Sequence, residues 1–161
     1  MLKVTIPMIL SFSKGMKTLD MMPLGYDSEY INTLFDTLGE RGRNVYLYYQ
    51  IPIDMIYPFL FGVSYCLLIA YFLKKLHKLN TPYIYLCFLP VIAGIADYAE
   101  NLGIITMLSN YPELTQFSMT ATNIFSIVKS MTTTVYFTAL VITLLLLGIK
   151  LLRGKLDVRR N

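Results

Sequence analysis

Residues 82–109 read PYIYLCFLPVIAGIADYAENLGIITMLS, an apolar stretch that nevertheless contains Asp97, Glu100 and Asn101. A helix of about 20 apolar residues is long enough to cross the hydrocarbon core of a bilayer. An ionisable side chain near the centre of that core costs roughly 2.5–3.5 kcal/mol. The spacings i, i+3 and i+4 place the three polar side chains on one face of a helix. This face is the first candidate for a functional site.

The composition of the chain is typical of a membrane protein. Hydrophobic residues make up 55% of its 161 residues, and charged residues make up only 15%. A net charge of +4 favours a nucleic-acid partner only where the basic residues form a patch on soluble structure. Here they flank apolar segments, as residues that fix membrane topology do. We therefore predict one membrane domain over residues 1–161 and no nucleic-acid partner.

The hydropathy pattern predicts an all-α integral membrane four-helix bundle with a short first helix. The helices are expected at about residues 2–19, 45–73, 82–109 and 114–152. The first has a short apolar run between lysines, so a helix lying on the membrane surface is the alternative for it. Residues 27–38 carry apolar side chains at helical spacing, which predicts an outer amphipathic helix.

The distribution of lysine and arginine predicts the orientation in the membrane. Basic residues gather in the turn at residues 74–78 and in the C-terminal tail after residue 149. Basic loops and tails stay on the cytoplasmic side. With four crossing helices, both the N- and the C-terminus are then expected to be cytoplasmic, and residues 21–44 are expected outside.

Antiparallel folding predicts further polar residues at the level of the face formed by residues 97–101. Folding about the turn near residue 76 places Asp54 level with Asp97 and Glu100. Folding about the next loop places Lys129 at the same level. At about 1.5 Å per residue, this level lies roughly 25–30 Å from the basic turn. The cluster is therefore expected in the outer half of the bilayer.

The predicted cluster contains more acidic than basic groups. Three carboxyl groups opposite Lys129 leave uncompensated negative charge in a medium of low dielectric constant. A proton, an inward-folded arginine or a cationic ligand would neutralise it. The catalytic candidates are Asp97, Glu100 and Asp54. The ligand-binding candidates are the polar residues at this level, the arginines above them and one tyrosine: Asp54, Asp97, Glu100, Asn101, Lys129, Arg41, Arg43 and Tyr57.

Three functions are compatible with such a cluster. The first, which we favour, is the binding of a membrane lipid or a small amphiphilic molecule, with or without acid–base chemistry. The second is a structural or accessory subunit of a membrane complex, held by a buried ion network. The third is a small proton- or cation-coupled carrier or pore. A partner membrane subunit fits the second function, and a homo-oligomer fits the third.

The sequence lacks the common catalytic motifs, and this absence excludes few types of chemistry. The sequence contains no nucleophile elbow, HExxH motif or nucleotide-binding loop, so it does not decide whether the protein is an enzyme. The one histidine, His77, lies in the basic turn, far from the acidic residues. We therefore predict neither a metal site nor a cofactor. Cys66 and Cys87 are expected to be free thiols.

Overall fold

The structure of the protein is a computed structural model that describes residues 5–80 and 82–160, with the side chains of residues 7–80 and 82–153. Every regular element in these ranges is helical, which confirms the predicted all-α class. The α-helices are α1 (Thr5–Phe12), α2 (Ser28–Val45), α3 (Ile51–Asp54), α4 (Tyr57–Lys75), α5 (Leu89–Asn110) and α6 (Gln116–Arg160). Leu19–Met21 and Pro82–Phe88 are 3₁₀ segments, and Tyr46–Gln50 is a π-helical segment.

Three helical stretches in the described residues are long and apolar enough to cross a membrane. They are Ser28–Lys75, Pro82–Asn110 and Gln116–Arg153. The long helices also leave large apolar side chains on the outside of the bundle. Phe59, Leu67, Ile95 and Leu145 are each more than half exposed. Such a belt of exposed apolar side chains is unusual for a protein surrounded by water.

The predicted amphipathic helix corresponds to the first part of α2. The Asp27 carboxylate accepts a hydrogen bond from the Tyr30 backbone N–H at 2.7 Å, which caps the helix. Ile31, Leu34 and Phe35 on its inner face are fully buried. Gly39 then adopts φ 60° and ψ 179°, a conformation almost confined to glycine. This kink separates the amphipathic part of α2 from the continuation toward α3.

The predicted first helix, at about residues 2–19, requires a correction of its C-terminal boundary. The described helix α1 ends at Phe12, and Lys14 and Gly15 then take positive φ values of 52° and 87°. Such values interrupt a right-handed helix. At 1.5 Å per residue, the 8 residues of α1 are about 12 Å long. The described part of α1 packs against α2 and is not one of the three described stretches long enough to span a membrane. Residues 2–4 of the predicted helix lie outside the described residues.

The boundaries of the other predicted helices also differ from those observed. The predicted helix at 45–73 is divided into the π segment, α3 and α4, and both α-helices carry a proline in the first turn. A proline there is tolerated because its missing N–H has no partner within the helix. The helix predicted at 82–109 begins with a 3₁₀ segment, and the helix predicted at 114–152 continues to Arg160.

The bundle has two apolar cores at opposite ends. We call the assembly of α1, Leu19–Met21 and α2 the cap. The core of the cap contains Ile9, Leu34 and Phe35, and these residues pack with Ile104 and Met107 of α5. The second core, nearer the other end, contains five buried side chains: Ile69, Leu73, Cys87, Tyr136 and Leu140. The cap therefore covers the C-terminal half of α5.

The end opposite the cap carries the basic residues that follow α4 and end the apolar part of α6. Here the Lys150 ammonium donates to the Lys75 carbonyl oxygen at 2.9 Å. We call this region the basic end. Between the two ends, α5 packs extensively against both α4 and α6, whereas α4 and α6 contact each other less. This unequal packing leaves room between α4 and α6.

The contact between α4 and α5 depends on Gly94. A Cβ atom at this position would lie 2.8 Å from the Pro58 carbonyl oxygen, which is too close for an ordinary contact. We expect Gly94→Ala to lower the free energy of unfolding by about 1–3 kcal/mol, because the backbones must separate. Thermal unfolding in detergent, followed by circular dichroism, measures the effect.

Gly148→Ala is the matched control, since no atom lies within 4 Å of a Cβ atom there. We expect its midpoint temperature to equal or slightly exceed that of the unchanged protein. Equal midpoints for the two alanine variants would contradict the close approach of α4 and α5.

Candidate functional site

The candidate site is a polar cluster beneath the cap, formed by six residues from four elements. Its members are Asp20, Asp54, Asp97, Glu100, Asn101 and Lys129. The three residues on α5 share one face, as their spacing predicts. All three are buried, and Glu100 and Asn101 have no exposed surface. The antiparallel helices bring the other members to the same height.

Lys129 of α6 forms the ion pairs of the cluster. Its ammonium nitrogen lies 3.3 Å from Asp97 Oδ1 and also contacts Glu100 Oε2. The lysine side chain is 18% exposed, whereas that of Glu100 is completely buried. Because both carboxylates belong to α5, this interaction fixes the position of α6 along α5.

Asp54 is held by a neutral partner. The Asn101 side-chain amide donates to Asp54 Oδ2 at 3.1 Å, and both residues are buried. Among the described residues, no basic side chain lies within ion-pair distance of Asp54. The hydrogen bond therefore orients the carboxylate without cancelling its charge.

Asp20 is a member of the cluster that the sequence analysis missed. The Tyr46 hydroxyl donates to Asp20 Oδ1 at 2.5 Å, and the Gln50 amide lies 3.5 Å from Oδ2. The Lys129 ammonium is also 3.5 Å from the Asp20 carbonyl oxygen. Tyr46 and Gln50 are fully buried and lie four residues apart on one face. That pair of buried polar side chains was the available signal that an acceptor lies opposite them.

The negative charge of the cluster also acts on Tyr26, in the loop before α2. Burial raises the pKa of the Tyr26 hydroxyl well above its usual range, and the charges of Glu100 and Asp20 raise it further. The hydroxyl consequently stays protonated. The Tyr26 backbone N–H donates to the Asn123 side chain at 2.8 Å, which attaches this loop to α6.

An open cleft of about 430 Å³ borders the polar cluster between α4 and α6. Its polar wall consists of Asp20, Asp54, Asp97 and Lys129. The other lining residues include aromatic rings on α4 and hydroxyl groups on α6: Tyr57, Phe61, Ser130, Thr133 and Thr134. Tyr57 is 53% exposed, so its ring stands at the rim. The cleft thus joins a charged region to a largely apolar, outward-facing region.

Aromatic side chains close the cleft toward the basic end. The ring centroids of Phe61 and Tyr65 lie 4.6 Å apart, and those of Tyr65 and Tyr136 lie 5.5 Å apart. The buried Tyr136 hydroxyl donates to the Tyr65 carbonyl oxygen at 2.9 Å. These residues form an aromatic floor that separates the cleft from the apolar core below it.

Two buried acceptor atoms next to the cluster lack a donor in the described structure. They are Gln50 Oε1 and Asn101 Oδ1, on the side chains that hold Asp20 and Asp54. Buried carbonyl oxygens almost always accept a hydrogen bond from protein or from ordered water. The side chains that hold the two carboxylates therefore each keep an acceptor without a donor.

The arginines predicted to contribute to the site lie elsewhere. The Arg43 guanidinium donates to the Phe35 carbonyl oxygen at 2.7 Å and lies 4.3 Å from the Tyr111 ring centroid. The side chain of Arg41 is exposed. The kink at Gly39 changes the direction of this part of α2, and Arg43 contacts Phe35 and Tyr111. Arg43 therefore does not fold into the cluster, which was one of the predicted ways of neutralising its negative charge.

Potential metal ligands and thiols are the other reactive groups among the described residues. Within the described ranges, no three histidine, cysteine or acidic side chains are arranged to hold a metal ion. Cys66 and Cys87 are free thiols near the basic end.

No protein-family model, curated protein or solved structure matches this chain. The chemistry of the cleft must therefore be argued from its own residues.

Lys129 provides a test of the ion pairs. We expect Lys129→Met to lower the free energy of unfolding by about 3–5 kcal/mol, because it leaves two buried carboxylates unpaired. Combining it with Asp97→Asn and Glu100→Gln should restore most of the loss, since the two side chains that Lys129 paired are then neutral. Unfolding titrations in mixed detergent micelles give these free energies.

Lys150→Met serves as the control, because this lysine only contacts a carbonyl oxygen at the exposed basic end. Its effect should be below about 1 kcal/mol. If Lys129→Met were equally mild, or if the combined variant were the least stable, the ion pairs would not hold α5 and α6 together.

Proposed function

We propose that the protein is an integral membrane protein whose cleft binds the headgroup of a lipid-like amphiphile in the outer leaflet. The observation that carries this proposal is the composition of the cleft. Charged groups line the part next to the cap, and the half-exposed ring of Tyr57 lines the rim of the cleft between two apolar helices. A molecule with a polar head and an apolar tail matches both parts.

The positions of two lysines on α6 support this placement in the membrane. Lys129 belongs to the polar cluster, and Lys150 belongs to the basic end. The 21 residue steps from Lys129 to Lys150 correspond to about 31 Å of helix, close to the thickness of a hydrocarbon core. We place the polar cluster at one edge of that core and the basic end at the other. Exposed apolar side chains then lie against lipid.

The positive charges favour a cytoplasmic basic end, and with it a cytoplasmic C-terminal end. The cap and the cleft then face outward. The expectation that the N-terminus is also cytoplasmic no longer follows from the described residues, because Ile9 of α1 packs in the core of the cap. We therefore propose three crossing helices, with α1 on the outer side.

The size and openness of the cleft support a ligand that remains partly in the lipid. Ligand sites usually enclose about 300–1,000 Å³, so about 430 Å³ suits a headgroup with the first part of a chain. The half-exposed ring of Tyr57 shows that the cleft is open at its rim. Asp20 and Asp54 are the carboxyls placed for proton exchange with a bound molecule, because both border the cleft without a cationic partner among the described residues.

A structural role for the cluster is the second candidate, and the contacts of Lys129 favour it. This one side chain joins α5, α6 and the 3₁₀ turn of the cap. The carrier or pore has less support, because the aromatic floor and the apolar core below it block a path to the basic end. Ligand binding and structural support predict different results in the tests below.

The orientation can be tested with single cysteines in a variant carrying Cys66→Ala and Cys87→Ala. Glu40 is exposed on α2 in the cap, and Asn80 is exposed at the basic end. We expect Glu40→Cys to react with a membrane-impermeant maleimide in intact cells. Asn80→Cys should react only after the cells are permeabilised. The opposite pattern would place the cleft in the cytoplasmic leaflet.

Amphiphile binding can be tested by fluorescence quenching, because the chain contains no tryptophan. We would introduce Tyr57→Trp at the rim of the cleft and, separately, Phe59→Trp on another face of α4. Four probes with the same brominated chain would carry an amine, a phosphocholine, a carboxylate or a monoglyceride headgroup. In nanodiscs of phosphatidylcholine, at least one probe should quench Tyr57→Trp at several-fold lower concentration than Phe59→Trp.

The Phe59→Trp variant measures quenching by lipid that merely surrounds the protein, since Phe59 is 62% exposed and lies outside the cleft. Identical quenching curves for the two tryptophan variants with all four probes would refute binding in the cleft. The structural role would then be the better account of the polar cluster.

A further inference from the structure

We infer that the cleft selects amphiphiles whose headgroup is a primary amine in its cationic form. The inference rests on the proposed function and specifies the ligand class for the same cleft. It follows from which charges around the cleft are already paired, and from which hydrogen-bonding groups are left over.

The charged groups that face the cleft are unequal in number. Asp20 comes from the cap, Asp54 from α3 and Asp97 from α5, and Lys129 of α6 is the basic group among the cleft-lining residues. A fourth carboxylate, Glu100, lies behind the cleft and also contacts Lys129. Four carboxylates therefore surround one ammonium, and the cleft has a negative potential.

The lysine is fully engaged by its existing partners. Its ammonium contacts Asp97, Glu100 and the carbonyl oxygen of Asp20. An ammonium has only three N–H donors, so none remains for an incoming anion. Arg41 and Arg43 belong to α2 in the cap and are not among the residues that line the cleft. An anionic headgroup would meet carboxylates here without a free cation.

Asp20 and Asp54 are the carboxylates without a cationic partner among the described residues. Both are fixed by neutral donors: Tyr46 and Gln50 hold Asp20, and Asn101 holds Asp54. These hydrogen bonds orient the carboxylate groups and leave their charges in place. A cation bound between them would remove much of the cost of burying like charges together.

The hydrogen-bonding character of the cleft agrees with this assignment. The carboxylates of Asp20 and Asp54 line the cleft and are acceptors. The side chains that hold them, Gln50 and Asn101, are completely buried outside the cleft lining, and Gln50 Oε1 and Asn101 Oδ1 are further acceptors without donors. A primary ammonium supplies donors and carries no acceptor, so it complements the two carboxylates. A hydroxyl headgroup would supply fewer donors and no charge.

Aromatic rings complete the match on the outward side. Tyr57 and Phe61 line the cleft next to the acidic wall, and their centroids lie 5.7 Å apart. The face of an aromatic ring attracts a cation and also packs against an alkyl chain. An amine held at Asp54 would therefore have its first methylene groups against these rings, with the remainder of the chain in the lipid.

The four brominated probes separate this inference from the proposed function. In neutral nanodiscs, with Tyr57→Trp as the reporter, we expect the amine to reach half-maximal quenching at a concentration at least about 10-fold below that of the monoglyceride. Asp54→Asn should reduce this preference about 10-fold, because it removes a charge and preserves the size of the side chain. Binding of the monoglyceride should change little.

Two further variants test whether the preference for the amine depends on where the removed charge lies. Asp20→Asn, which removes the other free carboxylate of the polar wall, should also reduce the preference for the amine. Asp36→Asn changes the total charge equally, but Asp36 binds Tyr111 in the cap and lies outside the cleft. It should leave the preference unchanged. Thermal unfolding of each variant verifies that the quenching is measured on folded protein.

Each other result overturns a defined part of the inference. Stronger quenching by the monoglyceride or the carboxylate probe would retain the cleft as an amphiphile site and refute selection of an amine. Equal quenching by amine and monoglyceride would mean that protons or inorganic cations neutralise Asp20 and Asp54, and it would also refute the inference. If no probe distinguishes Tyr57→Trp from Phe59→Trp, the proposed function fails as well.

Discussion

The ammonium of Lys129, placed between two carboxylates of α5, is the interaction on which the rest of the structure depends. Sliding α6 by one turn would move the ammonium about 5.4 Å and leave three charges unpaired in a medium of low dielectric constant. The ion pairs thus fix the relative position of the two helices that pack most extensively. The same ammonium contacts the Asp20 carbonyl oxygen, so it also positions the turn that forms the upper wall of the cleft. The packing of α6 on α5 and the position of this wall of the cleft therefore both depend on one partly buried ammonium.

Residue numbers alone predicted the height of most of this site, because long antiparallel helices advance by a constant rise per residue. Asp54 and Lys129 both contact the polar face of α5, as folding about the two turns predicted. What such counting cannot supply is the direction in which each side chain points. Asp54 accepts a hydrogen bond from the Asn101 amide, whereas Lys129 forms ion pairs with Asp97 and Glu100. That difference determines which carboxylates have a cationic partner.

The errors of the sequence analysis fall where the chain leaves regular helix. Positive φ values at Lys14 and Gly15 end α1 early, and a sequence read by helical periodicity gives no sign of them. Asp20 was missed for the same reason, because it sits on a 3₁₀ turn whose partners are distant in sequence. The kink at Gly39 likewise redirects Arg43 toward the cap. Irregular segments are placed by tertiary contacts, which periodicity does not encode.

The cluster contains two kinds of carboxylate, and this difference bears on its role. Asp97 and Glu100 are paired with a cation, which is how a structural network keeps buried charges at low cost. Asp20 and Asp54 receive hydrogen bonds only from neutral groups, although an asparagine could form a similar bond without introducing a charge. A structural role alone therefore accounts for the first pair and leaves the second unexplained. These two carboxylates are oriented by hydrogen bonds, have no cationic partner among the described residues and lie beside an open cleft. Such an arrangement is expected of a site in which a bound cation neutralises the carboxylates.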